Sequence, residues 1–138
     1  MKHNFVLLVF SIIFTWSSIA FGKDVNRVKI HSEEAVINYK NGTEIYSGNV
    51  VINSGPFHIE ADEVTEYKEG SKTIRVVALG KPAEFTQAPL IEGGLSNGYA
   101  EEIDYLVLEG KIKLKNYEIR NAIGNTQSGE NATYIFQK

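Results

Sequence analysis

The chain has 138 residues, 43% of them apolar and 22% charged, which is typical of one folded domain and not of a disordered chain. It contains no cysteine, which excludes thiol catalysis, thiolate metal sites and disulfide bonds. Without residues 1–22, 13 basic side chains remain against 17 acidic ones, a net charge of −4 (13 − 17). This balance argues against nucleic acid and against an anionic membrane surface as partners, because both require basic patches.

The first 22 residues have the layout of a secretory signal peptide. Lys2 precedes an apolar run, Phe5–Phe14, and Ala20-Phe21-Gly22 stands where a cleavage site belongs. We therefore expect an exported protein with one domain, residues 23–138. The alternative is an uncleaved membrane anchor, because residues 5–21 are only just long enough to cross a bilayer. The N-terminus of the exported protein distinguishes the two.

Residues 24–138 contain no helix-length window with apolar residues at helical spacing, and short alternating runs recur throughout. This pattern predicts an all-β chain. Asn41-Gly42 lies between two such runs and predicts a hairpin with a type I′ turn. Ser54-Gly55-Pro56 and residues 69–71 predict the next two turns. In the following strand, residues 57, 59 and 61 alternate as an apolar face against a polar one.

The second half of the chain continues this pattern around one longer irregular segment. Residues 86–98 contain proline and several glycines and predict a surface loop. After Tyr105 the sequence "LVLEGKIKL" follows without obvious turn residues and is interpreted as a strand. Residues 124–130 predict the last turn.

Glycines at regular spacing interrupt the predicted strands. Gly48, Gly80 and Gly110 follow one another at intervals of 32 and 30 residues. Glycine inside a strand packs no side chain and usually marks a bulge or a bend. We interpret the three as hinges at which each strand folds from one sheet onto a facing sheet. Such stacked rungs bury a continuous apolar interior and leave the first and last rungs as open edges.

Catalytic and metal-binding motifs are absent from the sequence. His31 and His58 lie on separate predicted strands without metal-ligand spacing. The acidic pairs Asp62-Glu63 and Glu101-Glu102 could serve a glycosidase, which needs two facing carboxylates. They recur at equivalent places in the repeat, however, and this favours a structural role. We predict a protein that is not an enzyme and holds neither metal nor cofactor.

Four short segments together resemble the LptA/OstA-type periplasmic proteins of lipopolysaccharide transport. They are Y-x-G-N-V at residues 46–50, A-D-x-V at 61–64, G-K-P-A-x-F at 80–85 and "GYAEEIDY" at 98–105. The similarity extends from Val28 to Leu114. Each motif alone is weak, but their order along the chain is fairly specific.

The resemblance implies a fold, an activity and a set of partners. The fold is an open, twisted β-jelly-roll of stacked antiparallel rungs, with two facing sheets in a V shape. The implied activity is periplasmic transport, in which the acyl chains of lipid A are shielded between the sheets during outer-membrane biogenesis. The implied partners are lipopolysaccharide, the inner-membrane-anchored jelly-roll subunit of an ABC transporter complex, the N-terminal domain of an outer-membrane assembly protein, and further copies joined head to tail.

The resemblance also implies lipid-binding residues. By motif these are Val28, Phe85, Tyr105 and Leu106. Alternation along the strands adds further candidates for the same interior, namely Ile30, Ile45, Val50, Ile52, Ile59, Ile112 and Leu114. On this basis Phe85→Asp is expected to leave a folded chain that no longer carries lipopolysaccharide.

Three alternatives remain open at this point. The chain could be the membrane-anchored partner subunit of the same pathway. It could be a structural β-repeat scaffold that binds no lipid, in which case its interior is filled. It could also be a periplasmic glycan hydrolase that uses Glu63 and Glu102.

Overall fold

A computed structural model describes residues 28–55, 57–87, 95–121 and 123–135, so the predicted signal peptide or anchor lies outside the described residues. Within these ranges no helix is long and apolar enough to cross a membrane. The described chain forms strands β1 (Val28–His31), β2 (Glu34–Asn38), β3 (Thr43–Ser54), β4 (Phe57–Glu69), β5 (Lys72–Gln87), β6 (Leu95–Leu106), β7 (Lys111–Asn121) and β8 (Thr126–Ile135).

The eight strands form one antiparallel sheet in the order β1-β3-β4-β5-β6-β7-β8, and β2 also pairs with β3. β1 pairs with the C-terminal part of β3, whereas β2 pairs with its N-terminal part. At the opposite edge β8 pairs with β7. The two edges do not pair with each other within the described ranges, so the sheet is open. The predicted all-β fold with open edges is confirmed.

Several of the long strands bend near their middle, and in β4 and β7 two consecutive side chains there point away from the interior. In β4, Ile59 and Val64 are buried, and Asp62 and Glu63 between them are exposed. Successive strand residues normally point to opposite faces, so two outward side chains in a row mark a bulge or a bend. Register shifts lie at or beside this place in β3, β4 and β5. Residues 115–116 form the equivalent outward pair in β7.

The bends divide the sheet into two half-sheets. The first half-sheet contains β1 and residues 50–54, 57–61, 83–87, 95–100, 117–121 and 126–129. The second half-sheet contains β2 and residues 43–47, 64–69, 72–79, 103–106, 111–114 and 132–135.

A contact between two aromatic rings shows that the half-sheets face each other. The ring centroids of Phe57 and Tyr105 are 5.9 Å apart. In the strand register, however, Tyr105 of β6 pairs with Val76 of β5, and Val76 pairs with Glu66 of β4. Glu66 is nine residues from Phe57 along β4, which is roughly 30 Å in an extended strand. The rings can therefore meet only because the sheet folds back on itself.

Two of the three predicted glycine hinges lie at these bends. Gly48, with φ of 79°, occupies the bulge of β3, and Gly80 lies in the bulge of β5. The prediction for Gly110 is wrong. It lies in the turn 107–110 between β6 and β7, where its φ of 60° suits a turn. In β7 the bend is instead at Asn116, whose φ is 47°.

The hairpin predicted at Asn41-Gly42 is confirmed, but its turn type is wrong. Four residues, 39–42, connect β2 to β3. Gly42 has φ of 65°, and Asn41 does not have the positive φ that a type I′ turn requires. The Asn38 side chain holds the turn, because its Oδ1 accepts hydrogen bonds from the backbone N–H groups of Lys40 and Asn41 at 3.1 and 3.4 Å.

Two predicted connections are shorter than the sequence suggested. The loop predicted over residues 86–98 begins later and ends earlier, because β5 extends to Gln87 and β6 begins at Leu95. The last turn is likewise shorter than residues 124–130, because β8 begins at Thr126. In both cases the strand ends are rich in polar residues and glycine, which gives them the composition of a loop.

Candidate functional site

The candidate site is the apolar interior between the two half-sheets. Strands β3 to β7 contribute side chains that form one buried cluster, and its members are at most 7% exposed. Its largest fully buried side chain is that of Tyr105. Because both half-sheets contribute to the cluster, it is the hydrophobic core of the described residues and lies between the two half-sheets.

The structure brings nine of the eleven predicted lipid-binding residues together in this interior. Val28 and Ile30 are half-buried and pack against the cluster from β1. The other seven belong to the cluster itself, namely Val50, Ile52, Ile59, Phe85, Tyr105, Ile112 and Leu114. Contact of these side chains with lipid remains a prediction.

Two predicted residues lie outside the interior. Ile45 is 39% exposed, whereas the next residue, Tyr46, packs against the cluster. Leu106 follows the buried Tyr105 and pairs with Arg75 and Lys111. Adjacent strand residues point to opposite faces, so neither side chain can line the same wall as its neighbour. The structure therefore does not place Ile45 and Leu106 on the inner face, and their contact with lipid remains a prediction.

Several interior residues were not among the predicted lipid-binding candidates, although the sequence analysis had placed Phe57 on the apolar face of its strand. Phe57, Tyr117 and Ile119 each carry a usable signal, since they alternate with polar neighbours in their strands. Val64 and Val76 carry no such signal, because a bend separates Val64 from Ile59 and Val76 from Phe85. Counting every second residue from Ile59 or Phe85 would place them on the outer face.

A polar network interrupts the apolar inner wall of the second half-sheet. Glu66 is 3% exposed, and its Oε2 accepts a hydrogen bond from Thr73 Oγ1 at 2.7 Å. The Tyr46 hydroxyl donates to Glu44 and also lies 3.2 Å from Glu66 Oε1. Lys68 Nζ is 3.1 Å from Glu44 Oε1 and 3.5 Å from Glu66 Oε1. Burial of these charges is tolerated because each has hydrogen-bonding partners.

The same contacts shift the ionisation of the network. The hydrogen bond from Tyr46 lowers the pKa of Glu44, and burial opposes this shift while Lys68 reinforces it. Burial tends to lower the pKa of Lys68, but the two carboxylates outweigh it and the net pKa is raised. Burial and the hydrogen bond to Glu44 raise the pKa of Tyr46. At neutral pH Glu44 is therefore a carboxylate, Lys68 an ammonium and Tyr46 a neutral phenol.

Acid is expected to weaken the fold in part through Glu44. Because the pKa of Glu44 is lower in the folded protein than its ordinary value of 4.5, its stabilising contribution is complete above that value and is lost as the pH falls through the folded pKa. Urea unfolding midpoints measured from about pH 6 to about pH 3 should fall less steeply for Glu44→Gln than for the wild type. Parallel curves for the two proteins would contradict this role.

The acidic pairs that raised the glycosidase alternative have a structural explanation. Asp62-Glu63 and Glu101-Glu102 lie at the bends of β4 and β6, at the places where two consecutive side chains must point outward. Charged residues suit this position because it faces water. Across the described ranges, no group of three or more histidine, aspartate or glutamate side chains is arranged to hold a metal ion.

Comparison with known proteins gives consistent results. Residues 29–138 match the family described as LptA/(LptD N-terminal domain) LPS transport protein. The lipopolysaccharide export system protein LptH of Pseudomonas aeruginosa is 28% identical over 112 residues, which cover 80% of this chain and 64% of that protein. The chain thus spans less than two thirds of the length of this curated relative.

The fold agrees with a solved structure of the same relative. The crystal structure of LptH, described as the LptA-homologous periplasmic component of the conserved lipopolysaccharide transport device of Pseudomonas aeruginosa, matches with a TM-score of 0.69 and 25% identity. The match covers 78% of this chain and 75% of that chain. The predicted jelly-roll fold and the prediction of a transport family in place of an enzyme family are confirmed, and the chain belongs to the LptA/LptD N-terminal domain family of lipopolysaccharide transport proteins.

Proposed function

We propose that this protein is a periplasmic carrier that shields the lipid A acyl chains of lipopolysaccharide between its two half-sheets. The observation that carries the proposal is the single apolar cluster enclosed by an open, folded-over sheet in a chain of this family. Each methylene removed from water contributes about 0.8 kcal/mol, so shielding part of one acyl chain already gives useful affinity. Partial shielding also keeps binding reversible, as transport requires.

The edges of the sheet supply the second part of the proposed function. Apolar side chains in or next to the edge strands β2 and β8 are unusually exposed, with Tyr39 at 90%, Val36 at 64% and Ile135 at 65%. Edge strands offer backbone N–H and C=O groups that can pair with another sheet. We propose that these edges dock the inner-membrane-anchored jelly-roll subunit, the N-terminal domain of the outer-membrane assembly protein, and further copies head to tail. Such contacts do not close, so they build a bridge.

One observation favours a second candidate function, that of a structural scaffold. Phe85 and Tyr105 are only 3% and 2% exposed, and a filled interior is what a scaffold predicts. The two candidates differ in their response to lipopolysaccharide. A carrier is stabilised by a ligand that binds its folded state, with a shift that grows with ligand concentration, whereas a scaffold is not.

Site-specific photocrosslinking with a matched pair of tyrosines tests the proposal. Tyr134 packs against the interior cluster, whereas Tyr99 is 42% exposed on the outer face and bonds to Glu118. Each is replaced in turn by p-azidophenylalanine, and the purified protein is irradiated with purified lipopolysaccharide. Crosslinks are expected at position 134 and not at position 99. Equal labelling at both positions, or a melting temperature unaffected by lipopolysaccharide, would contradict the carrier and favour the scaffold.

A further inference from the structure

The tips of the two half-sheets meet at a small group of side chains. Phe57 is the first residue of β4, and Ser54 is the last residue of β3. Tyr105 comes from the end of β6. The Phe57 and Tyr105 rings are 5.9 Å apart with an interplanar angle of 53°, and the Ser54 and Tyr105 hydroxyls are 3.4 Å apart. All three residues are at most 2% exposed.

This group lies on the side of the interior away from the bends. The strands turn from one half-sheet to the other near residues 62–63 and 101–102, whereas Phe57 and Tyr105 lie at the far ends of β4 and β6. At the bends the backbone ladders continue from one half-sheet to the other. At the tips Phe57 and Ser54 meet Tyr105 through their side chains, and the hydroxyl pair is near the upper limit of a hydrogen bond.

We infer that Ser54, Phe57 and Tyr105 form a seam that must part to admit an acyl chain, and that Phe57 and Ser54 then contact that chain. The inference rests on the proposed function. Lipopolysaccharide would keep its acyl chains in the interior and its polar head in solvent. It can therefore move only where a slot connects the interior with the solvent. In this structure the seam closes that slot, because its residues are as deeply buried as the core. Side-chain contacts are easier to separate reversibly than the continuous backbone ladders at the bends.

A reversible crosslink across the seam tests the inference directly. The chain contains no cysteine, so Ser54→Cys/Tyr105→Cys carries two thiols and no others. A short bis-methanethiosulfonate linker joins them and dithiothreitol releases it. Binding of fluorescently labelled lipopolysaccharide is expected to be at least about tenfold weaker in the linked protein than after reduction, because the binding-competent open state is removed.

The matched control carries the same linker within one half-sheet. Thr86→Cys/Asn97→Cys places two exposed thiols directly opposite each other on β5 and β6. Its binding is expected to be unchanged by the linker. If the linked seam variant binds as well as its reduced form, the seam inference is overturned and chains enter from the open edges. If the wild type itself does not bind lipopolysaccharide, the proposed function fails instead.

A conservative variant keeps the test decisive if Tyr105→Cys does not fold. Ser54→Ala/Tyr105→Phe removes both hydroxyls and leaves the packing of the rings in place. The hydrogen bond that is lost is long and weak, whereas water can no longer solvate these two hydroxyls when the seam parts, so the open state becomes less favourable. Stopped-flow uptake of labelled lipopolysaccharide is expected to be several-fold slower than in the wild type. An unchanged or faster uptake rate would contradict a role for the seam in admission.

Discussion

Phe85→Asp is expected to unfold most of the protein, whereas Thr86→Asp, one residue further along β5, should change the free energy of unfolding by less than about 0.5 kcal/mol. Phe85 is 3% exposed within the interior cluster, and Thr86 is exposed on the outer face. Truncating a buried phenylalanine costs about 3–5 kcal/mol, and an unpaired buried carboxylate adds several more. The sum approaches the whole stability of a typical domain, about 5–15 kcal/mol.

Urea unfolding followed by far-UV circular dichroism measures both variants. The result also decides whether the interior is closed. If Phe85→Asp folds with the midpoint of the wild type, position 85 faces water in an open groove. The sequence alone led to that expectation, in which Phe85→Asp stays folded and loses only lipid binding. The burial of Phe85 changes this expectation, because a carboxylate in a closed interior destabilises the fold itself and not only the binding of lipid.

Arg75→Met is expected to lower the free energy of unfolding by about 2 kcal/mol. Arg75 Nε donates a hydrogen bond to Asp104 Oδ1 and Arg75 Nη2 donates one to Asp104 Oδ2, both at 2.8 Å. Asp104 is only 8% exposed. Methionine keeps the packing of the side-chain stem but leaves the carboxylate without its cation. The effect is smaller than for a fully buried pair because the Arg75 side chain is 42% exposed.

A double-mutant cycle separates the pair from its surroundings. Asp104→Asn removes the charge and keeps the shape of the side chain, so Arg75→Met should cost less in that background than in the wild type. We expect a coupling free energy above about 1 kcal/mol from urea unfolding of the four proteins. Additive effects would show that Arg75 acts mainly through its stacking on Tyr67, whose ring centroid is 5.3 Å from the guanidinium carbon.

Much of the fold could be predicted because its signals are local. Alternation at Phe57 and Ile59 marked the inner face of β4, and Asn41-Gly42 marked the first hairpin. Gly48 and Gly80 marked two of the bends, since glycine is favoured where a strand bulges. Each of these features depends on residues that are close together in the sequence.

Other features could not be predicted because they depend on pairing between strands. Val64 and Val76 point inward only because the strands bend between them and Ile59 or Phe85. Gly110 resembled the other two hinges in its local sequence, yet the pairing of Leu106 with Lys111 places it in a turn. The same limit explains Ile45, since alternation fixes a face only when the register is known.

The sequence by itself determined the all-β class, the bending of the strands and the apolar character of the interior, because composition and period-two alternation are properties of the chain. Only the tertiary structure decided that the interior is closed. That closure depends on pairs such as Ser54 and Tyr105, which are 51 residues apart and meet only when the sheet folds back on itself. Burial is a property of two surfaces brought together, and neither strand encodes it alone.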